Sequence, residues 1–265
     1  MQKNCRTNDE KVTKNYKTVA QKTVQKITSK TKMIFISHIT SSTALIFPAK
    51  EICELAKSHN ILSFIDGAHA PSQIPLSINE INPDFYAGAC HKWMCSPKGV
   101  AFLYTKRILQ DSIDPIIISH GFGKAPKGNK LYSGSNYLNY HQWQGTRDFS
   151  NVLTVPKLIQ FLNDNDWVNV AKSCHNLALY ARNEISNLLD TQPISSDEYI
   201  GQMTSIPIDT DDPRKLKAEL SKNYKIEIPV TSWNNKNLIR ISIQAYNTKE
   251  DIHKLSDALH EIRSN

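Results

Sequence analysis

Two stretches of this 265-residue chain end in side chains able to do chemistry. One reads L-S-F-I-D-G-A-H-A-P-S-Q-I-P-L from Leu62, and its apolar run stops at Asp66, before Gly67, Ala68 and His69. The other reads D-F-Y-A-G-A-C-H-K-W from Asp84, and its run stops at Cys90, His91 and Lys92, before Trp93. In an open α/β sheet, ligands sit outside the carboxyl ends of the strands. Neighbouring strands that end in a carboxylate and in a lysine therefore place both groups at one edge. A lysine amine deprotonated by partial desolvation or a nearby cation is a nucleophile that forms an imine with an aldehyde. A carboxylate facing it can keep a pyridinium nitrogen protonated so that the ring accepts electrons. That pairing is what pyridoxal-phosphate chemistry needs. Taken singly, Lys92 reads as an exposed turn lysine and Asp66 as a turn acceptor after a strand. Only together do they point to a site.

The elements that must position them follow from apolar patterning. Residues 1–15 are polar and unpatterned and are expected to fray. Tyr16–Ile27 has apolar residues at helical spacing. Lys32–Ser37 is a short continuous apolar run, as in a buried parallel strand, and it ends in His38 at the same edge as Asp66. Pro48 opens a helix with Ile52, Leu55 and Ala56 on one face. Leu62–Ile65 and Asp84–Ala87 are further strands. Gly99–Tyr104 follows by too short a connection for a parallel crossover, so it should run antiparallel. Residues 121–147, rich in Gly, Ser, Asn and Lys with Tyr132, Tyr137, Tyr140 and Trp143 between them, read as a long functional loop. Helices are expected at Asn151–Asn163 and Trp167–Leu189. A different pattern then begins: strand Met203–Ile208, helix Pro213–Lys222, strands Ile226–Val230 and Leu238–Ile243, and a closing helix Lys249–Arg263. The fold class is therefore α/β, a mainly parallel sheet flanked by helices over residues 1–180, plus a small α+β C-terminal unit over 181–265.

D-G-A-H-A-P-S-Q-I-P-L and G-A-C-H-K-W-M-C-S-P-K-G resemble the class V aminotransferase family of pyridoxal-phosphate enzymes (fold type I), and within it the isopenicillin-N-epimerase-like branch. The resemblance continues through S-H-G-F at 119–122, W-Q-G-T-R-D at 143–148 and I-R-I-S-I-Q-A-Y-N-T at 239–248, covering about residues 30 to 265. It implies an incomplete aspartate-aminotransferase-like large domain, with pyridoxal 5'-phosphate as cofactor. Lys92 would be the Schiff-base lysine and the group that moves the Cα proton, with Asp66 on the pyridinium nitrogen. His69 would meet the cofactor's phenolic oxygen and His91 its phosphate. Thr146 would reach the phosphate of a partner subunit, making the enzyme a homodimer; the alternative is a turn threonine capping the next helix. Arg240, set between Ile239 and Ile241, resembles the arginine that clamps the substrate's α-carboxylate, for which a guanidinium fork is suited. His38 approaches cofactor or substrate, or is structural. Cys90 stays unassigned. The implied activity is at the Cα of an amino-acid substrate, as an epimerase, a C–S lyase or a transaminase. The cysteine-desulfurase branch needs a nucleophilic cysteine on a late mobile loop, whereas Cys174 falls in an expected helix.

The family's large domain starts well upstream of Lys32. It includes backbone donors to the phosphate at a helix N-terminus and a ring that stacks on the pyridine. Residues 1–30 hold neither, so the chain is expected to lack the family's N-terminal third. A catalytically inactive, partner-binding fragment is the alternative function.

Composition excludes several other classes. No apolar run approaches a membrane span, and the N-terminus lacks the apolar core of a secretory signal, so the cytoplasm is the expected location. Five cysteines at irregular spacing do not make a disulfide framework. The spacing of Cys90, His91 and Cys95 fits no zinc pattern, and no metal is expected. The net charge of +7 owes much to seven lysines between Lys11 and Lys32. With no arginine there and a single aromatic, they read as a solvated helix face, not a nucleic-acid surface.

Overall fold

The computed structural model describes residues 16–123 and 135–264. The expected fraying of 1–15 and the part of the long loop around Tyr132 lie outside the described residues. In chain order, α1 (Tyr16–Val24), β1 (Met33–Ser37), α2 (Ala49–Ser58), β2 (Leu62–Gly67), α3 (Ile78–Ile81), β3 (Phe85–Ala89) and β4 (Ala101–Thr105) build the first layer. β1, β2 and β3 pair in parallel and β4 closes the order β1-β2-β3-β4 antiparallel to β3, as its short connection requires.

α2 forms where Pro48 leaves off, and it buries Ala49, Ile52, Cys53 and Ala56, an i, i+3, i+4, i+7 stripe. It ends at Ser58, and two residues on Asn60 takes a φ of 54° that no helix continues. The stripe packs on one face of the sheet, where Ile65 and Tyr86 are fully buried. Hydrogen bonds hold the start of the sheet as well: Asp84 accepts from both the backbone N–H and the hydroxyl of Ser63. The opposite face carries Phe35, Phe64 and Phe85 in register across β1, β2 and β3, with ring centroids 5.2 and 5.7 Å apart. Phe35 is 63% exposed there and Phe85 only 7%, so among the described residues this face is uncovered at its β1 end.

Beyond β4, α4 (Asn136–Gln142) lies within the stretch expected to be loop. Ser135 caps it by accepting from Leu138 N–H, a local bond that outweighs the Asn- and Tyr-rich composition. The single helix expected at 151–163 is two: α5 (Ser150–Leu153) and α6 (Val155–Asp164). Pro156 lacks the N–H that would continue the ladder, so the chain breaks before it. α7 (Trp167–Leu188) leads into β5 (Met203–Ile208), α8 (Pro213–Tyr224), β6 (Val230–Trp233), β7 (Lys236–Ser242) and α9 (Lys249–Ser264). The second sheet has the order β5-β7-β6, all antiparallel. The strand expected at 226–230 is corrected: pairing begins only at Val230, after Pro229, while Ile226 and Ile228 pack on the core without a ladder. That core gathers Cys174, Ala178, Ala181 and Ile185 of α7 with Ile206, Ile239, Leu255 and Leu259.

At the end of β2, a Cβ on Gly67 would lie 2.1 Å from the Tyr86 ring, which fills that space. Gly67→Ala should therefore push Tyr86 out of place and cost about 1–3 kcal/mol of stability. Urea denaturation of the variant against the parent chain checks this.

Candidate active site

β2 and β3 deliver the two reactive ends side by side, because their parallel register pairs Asp66 with Ala87 and Gly67 with Gly88. After Asp66 the chain turns at once: Asp66 Oδ1 accepts from Ala68 N–H at 3.0 Å, and Ala70 N–H donates back to Gly67. The turn-acceptor reading of Asp66 is thus correct for one oxygen. The other has no donor among the described residues. The turn presents His69, whose carbonyl accepts from Gln73 Nε2 at 2.7 Å. After β3, Cys95 N–H bonds to Lys92 carbonyl and Ser96 N–H to Cys90 carbonyl, so Lys92 and Trp93 sit in a closed turn.

These two turns meet. Lys92 Nζ lies 3.1 Å from His69 Nε2, and Trp93 Nε1–H donates to His69 Nδ1 at 3.3 Å. Burial lowers the Lys92 amine from its ordinary value, with the Arg240 charge acting the same way and the Asp66 carboxylate opposing both. Both residues therefore lie in the electrostatic neighbourhood of Lys92.

Arg240 arrives from β7 across a polar seam between the two sheets. Gln202 donates to the carbonyls of Ser72 and Gln73 and receives Gln73 Oε1 on its own N–H. Ser205 donates to Ser42 carbonyl, and Gln244 Nε2 donates to Trp93 carbonyl. Arg240 Nη1 donates to the carbonyl and hydroxyl of Ser41 at 2.8 and 2.9 Å, just past β1. Its buried Nε has no partner among the described residues, so part of the guanidinium fork is unspent.

His38 is 7% exposed, and its Nδ1 lies 2.9 Å from the Tyr86 hydroxyl. Burial, and after it the Asp66 charge, raises the Tyr86 phenol. His38 thus reaches the Asp66 end of β2 through Tyr86. His91 turns away from the cluster: Nδ1 donates to Val100 carbonyl at 3.0 Å, leaving Nε2 as the outward nitrogen. Thr146 is exposed in the bend before α5. The acceptor at the start of α5 is Asp148, which takes Ser150 N–H and hydroxyl, so Thr146 does not cap that helix. Sequence reasoning missed Trp93, Tyr86, Ser41 and Gln244 as supports. Only Trp93, an indole beside the lysine, left a local sign.

The chemistry of this donor set fits pyridoxal phosphate: a lowered amine, a carboxylate with a free oxygen, an imidazole against the amine and a partly unpaired guanidinium. The family model for Aminotransferase class-V matches residues 1–255, and the chain belongs to that family, whose enzymes use pyridoxal phosphate. It is similar to isopenicillin N epimerase of Amycolatopsis lactamdurans, 32% identical over 241 residues that cover 88% of this chain and 60% of that protein. It is also similar to L-cysteine desulfhydrase of Arabidopsis thaliana, 27% identical over 87% of this chain and 54% of that one. The fold matches a cysteine desulfurase from Thermococcus onnurineus NA1 with a TM-score of 0.77 at 16% identity, over 96% of this chain and 64% of that structure. The chain thus holds part of an aspartate-aminotransferase-like fold, and it spans about 60% of the length of the epimerases it matches. Among the described residues, no helix is long and apolar enough to cross a membrane.

Burial lowers His38 to about 4, and burial, then the Lys92 and Arg240 charges, lowers His69 to about 4. The unfolded chain takes up these protons near pH 6.5, where the folded one does not. The stability they contribute is complete above that pH and is lost as the pH falls towards 4. For His38 the loss is on the order of 3 kcal/mol. Unfolding free energies measured by urea titration between pH 7 and 4 should fall more gently in His38→Gln, by about that amount.

Proposed function

We propose that this chain carries the lysine, acid and carboxylate-binding groups of a pyridoxal-phosphate enzyme acting at the Cα of an amino acid, of epimerase or C–S lyase type. The observation that carries the reading is the contact of the Lys92 amine with His69, with Asp66 and Arg240 close enough to act on that amine. When bound, pyridoxal phosphate supplies an electron sink that weakens the Cα–H bond. The rest falls to the protein. Asp66 offers its free oxygen to the ring nitrogen, and His69 stands where a phenolic oxygen would lie. Arg240, which spends only Nη1 on Ser41 among the described residues, has guanidinium donors suited to an α-carboxylate. Lys92 Nζ takes the Cα proton and returns it, a role that an amine lowered by desolvation favours. Its similarity to an isopenicillin N epimerase and to an L-cysteine desulfhydrase supports these two reaction types. Cys174 argues against sulfur transfer to a protein thiol: it is 4% exposed within α7, and burial pushes its thiol up.

Within this reading, residues 1–180 form the cofactor-binding unit and 181–265 the small unit that brings Arg240. His91, through Nε2, and Thr146, from a partner subunit, are the candidates for the phosphate in a cytoplasmic homodimer. A second reading is that the chain is non-catalytic and binds a partner. The bare sheet face at Phe35 and at Leu103, 44% exposed, favours it.

Borohydride reduction after incubation with pyridoxal phosphate should leave a covalent adduct on the peptide bearing Lys92, read by mass spectrometry, and none in Lys92→Ala. An unlabelled parent chain would favour the second reading. If turnover is measured, Arg240→Lys should raise KM for the amino acid by about 10- to 100-fold, since charge-assisted bonds contribute about 1.5–3 kcal/mol, with a smaller effect on kcat.

A further inference from the structure

The hydrogen bonds around Lys92 have a direction that chemistry imposes. An indole N–H only donates, and that of Trp93 points at His69 Nδ1. Nδ1 therefore carries a lone pair. A neutral imidazole has one N–H, so the hydrogen of His69 is on Nε2, the atom 3.1 Å from Lys92 Nζ. An ammonium group has three donors and nothing to accept with. Against an Nε2–H it would set donor against donor, whereas a free amine accepts through its lone pair. Protonating His69 at Nδ1 would likewise set it against the indole N–H.

We propose that Trp93 is a positioning residue that locks His69 in the Nε2–H tautomer, so that the imidazole donates to Lys92 and holds it as an oriented free amine. The surrounding anchors suit this role. Trp93 is 7% exposed and its carbonyl accepts from Gln244, while Gln73 holds the His69 backbone. The charged groups that act on the pair are Arg240, which disfavours a second cation, and Asp66, which favours the ammonium form. The His69 bond sides with Arg240.

The inference rests on reading Lys92 as the reactive amine, but its test needs no cofactor, so the two can fail separately. Long-range proton–nitrogen NMR of the histidine rings, with His69 assigned by its loss in His69→Gln, should show the Nε2–H tautomer at pH 7. Competitive labelling with trace acetic anhydride across pH 6–11, resolved by peptide mass spectrometry, should give Lys92 a lower midpoint than the exposed Lys57. Trp93→Phe keeps a ring but loses the N–H. It should mix the His69 tautomers and raise the Lys92 midpoint by about one pH unit, tenfold less free amine at a given pH. An Nδ1–H tautomer in the parent chain, or an unmoved Lys92 midpoint in Trp93→Phe, overturns the proposal. If Trp93→Phe does not fold, the parent chain decides alone: a Lys92 midpoint no lower than that of Lys57 refutes it. A correct tautomer without Lys92 labelling by pyridoxal phosphate would instead count against the catalytic reading.

Discussion

The pairing register of β2 with β3 is the constraint on which the site depends. A slip of one residue would turn every side chain of β2 to the other face of the sheet. Asp66 would then point into the layer where α2 packs, and Ile65 would face solvent. Three contacts oppose the slip. Ile65 and Tyr86 are buried together under α2, Asp84 clamps Ser63 at the start of the pair, and Gly67 leaves the room that the Tyr86 ring occupies. The same packing sets the turns that follow. Because both strands end in step, the His69 turn and the Lys92 turn come within hydrogen-bond distance.

A second constraint is the seam to the other sheet. It is polar where an ordinary core is apolar, and its buried amides are largely paired, as burial demands. Gln202 alone joins β5 to the turn at Ser72 and Gln73 through three bonds. Met203, one residue on, is fully buried in the core of the first layer. The seam thus positions Arg240 firmly without neutralising it, since its described partners at Ser41 are an uncharged carbonyl and hydroxyl. A guanidinium kept charged near the Lys92 amine adds to the lowering that desolvation begins, while the Asp66 carboxylate opposes both. Position and proton state at Lys92 therefore have a common origin, in which backbone packing sets the distances and the distances set the charges.

How much of this was legible in the sequence differs by level. The runs before Ser37, Asp66 and Ala89 announced three strands, and the short link to Val100 announced the antiparallel fourth. Pro48 marked the start of α2, and the lysine and aspartate of the site were visible at the ends of their runs. These are local signals: residue type, period and chain length act through hydrogen bonds and sterics among near neighbours. Where local signals conflicted, the reading failed. Asn- and Tyr-rich composition hid α4 behind its Ser135 cap, and β-branched residues at 226–230 suggested a ladder that Pro229 interrupts.

The sequence by itself determined which residues could react and which strand ends would carry them. Only the tertiary structure decided what each one faces. That His69 stands between Trp93 and Lys92, that His38 reaches Tyr86, and that Arg240 crosses from another sheet are consequences of long-range packing. The proton states follow from that packing too, because desolvation and Coulomb terms depend on burial and distance, and no spacing along the chain encodes either.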